Sequence, residues 1–172
     1  KSSAASDVYK RQNTYLYMFV DYDGVVKTYA EGFPTYHNRE QAPFSHSMIR
    51  VLSYIAWEAA LPAYFIPISS SPGKYSREEL EQMFRNVYQV DNLFLHPEIE
   101  ITPVRTDRQL YVRDILQKYQ VQHHLVLDDE PFWYENQGLN YFQTDTFDGI
   151  THKVFLAMVK LAEEIAHKQK HL

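Results

Sequence analysis

Two pairs of aspartates each follow an apolar run, and together they are the residues best suited to chemistry. Asp21 and Asp23 come after the run YLYMFV, and Asp128 and Asp129 come after the run LVL. Four carboxylates in one small volume would repel each other and raise each other's pKa unless a cation neutralised them. An all-oxygen site that keeps positions for water and phosphate suits Mg²⁺. The sequence therefore predicts that these four aspartates hold Mg²⁺.

The elements that position these residues follow from the hydrophobic pattern. Short apolar runs alternate with segments of helical periodicity, which is typical of βαβ units and of a parallel sheet covered on both faces. We expect an α/β, three-layer, Rossmann-like fold in one domain over 13–172, with about five strands. The predicted strands cover 15–20, 63–68, 92–95, 124–127 and 139–143, and the predicted helices cover roughly 46–60, 76–87, 106–119 and 154–165.

Local signals mark some boundaries of these elements. Ser76 with Glu79 is a Ser-x-x-Glu capping box, and Thr106 with Gln109 predicts a second capping box. Pro67 conflicts with the second strand, because it lacks the N–H that a central ladder would use.

The predicted sheet brings the polar residues together. The carboxyl ends of parallel strands share one edge, where ligands bind. The first strand ends at Asp21, the second leads into the serines 69–71, and the fourth ends at Asp128. Because adjacent strands lie only about 4.8 Å apart, carboxylates from neighbouring strand ends can share one site.

Composition limits the classes of function. The chain has 172 residues and no cysteine, which excludes disulfides, thiolate catalysis and cysteine-ligated metals. The net charge of -5 gives no general attraction to nucleic acid or anionic lipid. No apolar stretch approaches the roughly 20 residues of a membrane span, so we expect a cytoplasmic protein with no membrane partner. Residues 1–12 are polar and aperiodic, and we interpret them as a non-native or disordered leader.

Three other features of the sequence are a long irregular segment, an aromatic run and the histidines. The irregular segment 27–45 is too long for an idle connection and is a candidate flap over the site. The aromatic run 132–134 is interpreted as packing rather than as a platform for nucleic-acid bases. The eight histidines are scattered, and none is assigned to a metal.

These residues resemble the motifs of the haloacid dehalogenase (HAD) superfamily of phosphotransferases. Its four motifs occur in order, as DYDGV from Asp21, a strand-end serine at Ser69, a basic residue at a helix start and the pair at Asp128. More narrowly, the chain resembles the HAD-type domain of Swiss Army knife RNA-repair proteins. That likeness covers roughly 15–165 and rests on the following residues: SSS at 69–71, Thr102-Pro103, Arg108 with Val112, Leu127-Asp128-Asp129 and Gly149-Ile150-Thr151.

The resemblance implies a HAD fold and a phosphatase mechanism. Neither the segment 27–45 nor the stretch after Pro72 is long enough for a full cap domain, so we expect no large cap. Asp21 would be the nucleophile and would form an aspartyl-phosphate. Asp23 would act as general acid and base, and its backbone carbonyl would join Asp21 and Asp128 at Mg²⁺, with Asp129 assisting. Gly24 would permit the tight turn.

The resemblance also implies residues for the phosphate. Ser69, with Ser70, would hydrogen-bond phosphoryl oxygens, and Arg108 would offset charge. Relatives often continue the serine run with Trp-Arg, whereas this chain has Pro-Gly and then Lys74, which could supply the cation. The basic motif residue is thus Arg108, Arg113 or Lys74. Arg108 is preferred, because it lies in the first helical turn.

The implied substrate is a phosphomonoester, with a nucleotide or a polynucleotide end as the leading class. A site without a cap is open and can accept a phosphate at the end of a large molecule or on a small metabolite. The alternative is a catalytically weak module that binds a phosphorylated ligand or a protein. The sequence indicates no specific partner protein.

Overall fold

The computed structural model describes residues 14–28, 43–131 and 138–171 of the chain. Three sequence interpretations lie wholly or mostly outside these residues. They are the leader at 1–12, the candidate flap at 27–45 and the aromatic run at 132–134.

The described residues form one five-stranded sheet in which every pairing is parallel. The strand order is β3-β2-β1-β4-β5, so the chain builds outward from β1 first in one direction and then in the other. The predicted α/β, Rossmann-like class is confirmed. The strands are β1 (Leu16–Val20), β2 (Ala63–Pro67), β3 (Leu93–Phe94), β4 (His124–Asp128) and β5 (Tyr141–Gln143).

In the described part of the chain four helices connect or follow the strands, and each begins at a side chain that caps it. They are α1 (His46–Glu58), α2 (Arg77–Asn86), α3 (Arg108–Lys118) and α4 (His152–Lys170). The capping box of Ser76 and Glu79 is confirmed. The box predicted at Thr106 is wrong, because Asp107 caps α3 by accepting the N–H of Leu110 at 3.2 Å.

The strands are buried on both faces, as the continuous apolar runs require. Alternate residues of β1 enter different cores, because successive side chains of a strand point to opposite faces. Leu16, Met18 and Val20 pack with α1, α2 and α4, whereas Tyr17 and Phe19 pack with α3. The helix α3 therefore lies alone among the four on its face of the sheet.

The position of Pro67 explains why β2 tolerates it. Along β2 the N–H groups alternate between the two neighbouring strands. Ala63 donates to Asn92, beside β3, whereas Ile68 donates to Val20 of β1. The nitrogen of Pro67 therefore faces the β3 side, where the pairing ends opposite Tyr64. Pro67 breaks no ladder hydrogen bond, since no β3 residue lies opposite it.

Two histidines with a lowered pKa predict sensitivity to acid. Burial lowers the pKa of His96 and of His124 from the usual 6.5 to about 4. Nδ1 of His96 accepts the N–H of Glu98 at 3.0 Å, and Nε2 of His124 accepts the N–H of Asn140 at 3.1 Å. Protonation of these nitrogens would abolish both hydrogen bonds. Between pH 6.5 and pH 4 the unfolded chain binds more protons, so stability falls as the pH is lowered.

The measurement is the free energy of unfolding by urea at several pH values. His96→Gln keeps an acceptor but cannot titrate, so its stability should depend less steeply on pH in this window. An unchanged slope in this variant would contradict the assignment.

No helix in the described ranges combines the length and the apolar character that crossing a bilayer requires.

Candidate functional site

The candidate site lies at the topological switch point of the sheet, at the carboxyl ends of β1 and β4. β1 is flanked by β2 on one side and by β4 on the other, and the crevice beyond the carboxyl ends of such strands is the usual ligand site of an open α/β sheet. Asp21 follows β1 directly and Asp128 ends β4, and the N–H of Asp21 donates to the carbonyl of Leu127 at 2.9 Å. The ladder between β1 and β4 thus sets the two aspartates side by side.

Three carboxylates converge at this point. Asp21, Asp128 and Asp129 each offer one oxygen, and these oxygens lie within 4.8 Å of one another. Asp128 is fully buried and Asp21 is 5% exposed, whereas Asp129 is half-buried. This arrangement has the geometry and the hard oxygen donors that could hold a divalent metal ion.

Arg108 joins two of these carboxylates. Its Nη1 lies 2.7 Å from Oδ2 of Asp128 and 3.2 Å from Oδ2 of Asp21. The helix start explains this contact, because Arg108 is the first residue of α3 and is buried at the site. Three ionised carboxylates and one guanidinium leave an excess of two negative charges, which a divalent cation would neutralise.

Backbone groups fix the remaining oxygens of the two buried aspartates. Oδ1 of Asp21 accepts the N–H of Tyr22 at 2.9 Å, and Oδ1 of Asp128 accepts the N–H of Glu130 at 3.0 Å. Each carboxylate is thereby held from both sides, by a main-chain donor and by Arg108. Such fixed orientation is what a metal site or a nucleophile requires.

The electrostatics of the cluster disfavour the negative charge of Asp21. Burial first, and the neighbouring charge of Asp128 second, raise the pKa of Asp21 to about 8, although Arg108 and the Tyr22 N–H oppose the shift. Burial also raises the pKa of Asp129, which the hydrogen bond from Thr146 opposes. A bound cation would favour the ionised forms of both groups.

The loop after β1 is a tight turn that brings Gly24 against Asp129. The carbonyl of Tyr22 accepts the N–H groups of Val25, Val26 and Lys27, at 3.2, 3.1 and 2.8 Å. Gly24 has a φ of +78°, and a Cβ at this position would lie 2.6 Å from Oδ2 of Asp129. A side chain is therefore excluded both by conformation and by space.

Asp23 lies apart from the three clustered carboxylates. Its side chain is exposed, and its backbone forms a bridge with Lys27 across the turn. The carboxyl of Asp23 is thus open to solvent and to a substrate. Its role as general acid and base, and its carbonyl as a metal ligand, stay predictions.

Thr146, a residue that the sequence did not single out, also reaches the cluster. Thr146, in the segment between β5 and α4, donates its hydroxyl to Oδ2 of Asp129 at 2.7 Å. The same segment contains Gly149, where a Cβ would lie 2.7 Å from Cγ2 of Thr28 and 3.2 Å from the carbonyl of Val25. Threonine is common in loops, so no local signal distinguishes Thr146, and only the tertiary contact identifies it.

Removal of the Thr146 hydroxyl is expected to weaken metal binding. In Thr146→Val, Asp129 loses the donor that orients it, and loss of such a supporting hydrogen bond typically costs about 10–100-fold in metal affinity. The apparent affinity for Mg²⁺ can be followed by isothermal titration calorimetry. Thr106→Val, at an exposed position before α3, is the matched control and should bind Mg²⁺ as the wild type does. Equal affinities in both variants would contradict a role for Thr146.

The strand-end serines lie at the same edge of the sheet. Ser69 is 3% exposed and follows β2, the neighbour of β1. Its hydroxyl accepts the N–H of Ser71 at 3.1 Å, and its carbonyl accepts the N–H of Val104 at 2.9 Å. Ser70 and Lys74 are exposed in the loop that follows. Their assignment to phosphate binding stays a prediction.

The candidate basic residues take different positions. Arg108 contacts the acidic cluster, as described above. Arg113 lies farther along α3, and its charge lowers the pKa of His124, at the amino end of β4. Arg108 is thus the residue of this pair that geometry brings to the site.

Comparisons with known proteins find similar chains among solved structures. No protein-family model matches the chain, and no curated protein matches it. Among solved structures, the chain is similar to one described as a HAD superfamily (subfamily III A) hydrolase from Legionella pneumophila. The identity is 9%, the alignment covers 96% of this chain and 91% of that chain, and the TM-score is 0.40. This similarity is too weak to assign a family, and the fold description rests on the strand order and pairing.

Proposed function

We propose that this protein is a Mg²⁺-dependent phosphomonoester hydrolase of the HAD type. The observation that carries the proposal is the convergence of Asp21, Asp128 and Asp129 beside Arg108 at the switch point of the sheet. The order of the motifs, from the DYDGV turn to the Asp128-Asp129 pair, supports it. The donor set fits Mg²⁺, which would be held by Asp21, Asp128, Asp129 and the backbone carbonyl of Asp23.

In the first half of the reaction, Asp21 acts as the nucleophile. A carboxylate oxygen of Asp21 forms a bond to phosphorus while the bond from phosphorus to the leaving oxygen breaks. Asp23, whose exposed carboxyl lies two residues away, donates its proton to that oxygen and releases the alcohol. The products of this step are an aspartyl-phosphate on Asp21, an ionised Asp23 and the free alcohol.

In the second half, water releases the phosphate. Asp23, now ionised, accepts a proton from water as the water oxygen forms a bond to phosphorus. The bond from phosphorus to the Asp21 oxygen breaks, which returns Asp21 as a carboxylate and gives inorganic phosphate. When bound, Mg²⁺ supplies positive charge that screens the phosphate from the carboxylates.

Phosphate binding is assigned to the surrounding loops. Ser69 and Ser70 supply hydroxyl donors, and Gly24 leaves room for the phosphate to approach the turn. Arg108 offsets charge on Asp21 and on the phosphoryl group. Lys74, exposed in the loop where relatives carry Trp-Arg, adds a second cation.

The proposed substrate class is a nucleotide or the phosphorylated end of a polynucleotide. This part of the proposal rests on the resemblance to RNA-repair domains and on the lack of a large inserted cap in the sequence. A panel of nucleotides and of oligonucleotides phosphorylated at either end is the direct test. The substrates of this class should exceed small sugar phosphates in kcat/KM.

The proposal predicts metal-dependent release of phosphate from para-nitrophenyl phosphate. Activity should appear with Mg²⁺, vanish with excess EDTA and return when Mg²⁺ is restored, because the cation balances the negative cluster. Phosphate binding by calorimetry, measured on the same samples, distinguishes the alternative function. Binding without turnover across a panel of phosphomonoesters would contradict the enzyme and favour a phosphate-binding module.

A further inference from the structure

A large exposed aromatic side chain stands in the loop that reaches the acidic cluster. Phe147 is 58% exposed and directly follows Thr146, whose hydroxyl contacts Asp129. Consecutive Cα atoms are about 3.8 Å apart, so the backbone of Phe147 lies next to a residue that contacts the cluster. Single exposed apolar residues are common on protein surfaces, so exposure alone does not indicate a function. The position of Phe147 in the chain and the hydrogen bonds of its loop are the relevant observations.

The loop that carries Phe147 is fixed by its own hydrogen bonds. Oδ1 of Asp145 accepts the N–H groups of Phe147 and Asp148, at 2.9 and 2.8 Å. Asp145 and Gly149 also exchange both backbone hydrogen bonds, at 2.9 and 2.7 Å. The backbone of Phe147 is therefore held in place before any ligand binds, which lowers the entropic cost of using its ring in recognition.

Both ends of this loop are attached to the site. Gly149 packs against Thr28 and the carbonyl of Val25, in the loop that follows the nucleophile Asp21. At the other end, the N–H of Thr144 donates to the carbonyl of Asp128 at 3.0 Å. The position of Phe147 is thus coupled to the turns that carry the proposed nucleophile and the metal ligands.

Space for a leaving group adjoins the loop. A groove of about 460 Å³ includes Asp145 and Thr151 in its wall and continues along the aromatic residues Tyr141 and Phe142 of β5. Sites of this size hold small ligands. The hydroxyl of Tyr141 donates to the carbonyl of Asp128 at 3.2 Å, so one residue of the groove wall contacts the main chain of the cluster.

We infer that Phe147 is a specificity residue that stacks on a planar aromatic ring in the leaving group of the phosphomonoester. The inference rests on the proposed function and deepens it, since it assigns the part of the substrate beyond the phosphate. Its physical basis is the preference of aromatic rings for stacked or edge-to-face contacts, which saturated rings of equal size cannot reproduce.

The test compares two phosphonates that differ in the planarity of one ring. Phenethyl phosphonate and cyclohexylethyl phosphonate have the same chain and charge and cannot be hydrolysed, so calorimetry in Mg²⁺ measures their Kd directly. The wild type should prefer the phenethyl compound. Phe147→Ala should weaken its binding about tenfold, because stacking on an aromatic side chain contributes at that scale. Binding of the cyclohexyl compound should change much less.

Two further variants separate ring stacking from hydrophobic contact and from folding defects. Phe147→Tyr keeps the ring and should keep the preference, whereas Phe147→Leu keeps apolar volume and should lose it. Trp57→Ala removes an exposed aromatic ring from the last turn of α1 and should leave both Kd values unchanged. Equal losses for both compounds, no loss in Phe147→Ala, or no binding of either compound by the wild type would overturn the inference. Failure of the proposed function is distinct, because it would remove phosphate release while ring-selective binding remained.

Discussion

Asp21→Asn is expected to lower phosphate release from para-nitrophenyl phosphate by at least about a thousandfold, because the amide cannot act as the nucleophile of the covalent step. Steady-state kinetics at saturating Mg²⁺ measure the loss. Asp114→Asn removes an exposed carboxylate from α3 and is the matched control, with activity close to that of the wild type. Retention of activity in Asp21→Asn would contradict the assignment of the nucleophile.

The same variant should not be less stable than the wild type without metal. Burial and the charge of Asp128 raise the pKa of Asp21 to about 8. In the metal-free protein, ionisation of Asp21 therefore lowers the stability of the folded state as the pH rises from 4 towards 8. The neutral amide removes that penalty. Thermal unfolding in EDTA at pH 8 should give an equal or higher Tm for Asp21→Asn. Addition of Mg²⁺ should then raise the Tm of the wild type more than that of the variant.

Arg108→Ala should cause the largest loss of stability among single changes at the site. The guanidinium contacts Asp128 at 2.7 Å and Asp21 at 3.2 Å, and both carboxylates are buried. Removal of one partner of a buried ion pair typically costs about 3–5 kcal/mol, because the remaining charge is left uncompensated. Urea unfolding in EDTA measures this difference, and activity should fall as well.

A control variant and a double variant test whether the ion pair of Arg108 causes the loss of stability. Arg113→Ala removes the same side chain from the second turn of α3, away from the cluster, and should cost much less. Arg108→Ala combined with Asp128→Asn should be less destabilised than the sum of the single changes, since the neutral amide no longer requires a cation. Additive effects would mean that the ion pair does not account for the loss.

The sheet could be predicted from the sequence because its signals are local. Each buried parallel strand is a continuous apolar run, such as the run that ends at Val20, and each is followed by polar residues where the chain leaves the core. Strand order was not needed to place Asp21 and Asp128 at one edge, since all parallel strands end on the same side. The cap of α3 was misplaced by one residue, because Thr106 and Asp107 are both good capping residues.

Several contacts of the site join residues that are far apart in the chain, and no local sequence pattern predicts them. The contact of Arg108 with two aspartates requires that α3 cross to the opposite face of the sheet from the other helices. The hydrogen bond from Thr146 to Asp129 spans 17 residues of sequence. Asp23, equivalent to Asp21 by residue type, is exposed and is not one of the three clustered carboxylates.

The sequence by itself determined the α/β class and the edge of the sheet at which the acidic residues gather, because hydrophobic periodicity and chain direction are properties of the linear chain. Only the tertiary structure decided which groups meet there. Pairing of β1 with β4 joins Asp21 to Asp128, and the path of α3 delivers Arg108 to them. The segment after β5 brings Thr146 to Asp129, and Asp145 holds the N–H of the next residue, Phe147. Those contacts arise from packing between segments far apart in the chain, where residue type and spacing carry no information about distance.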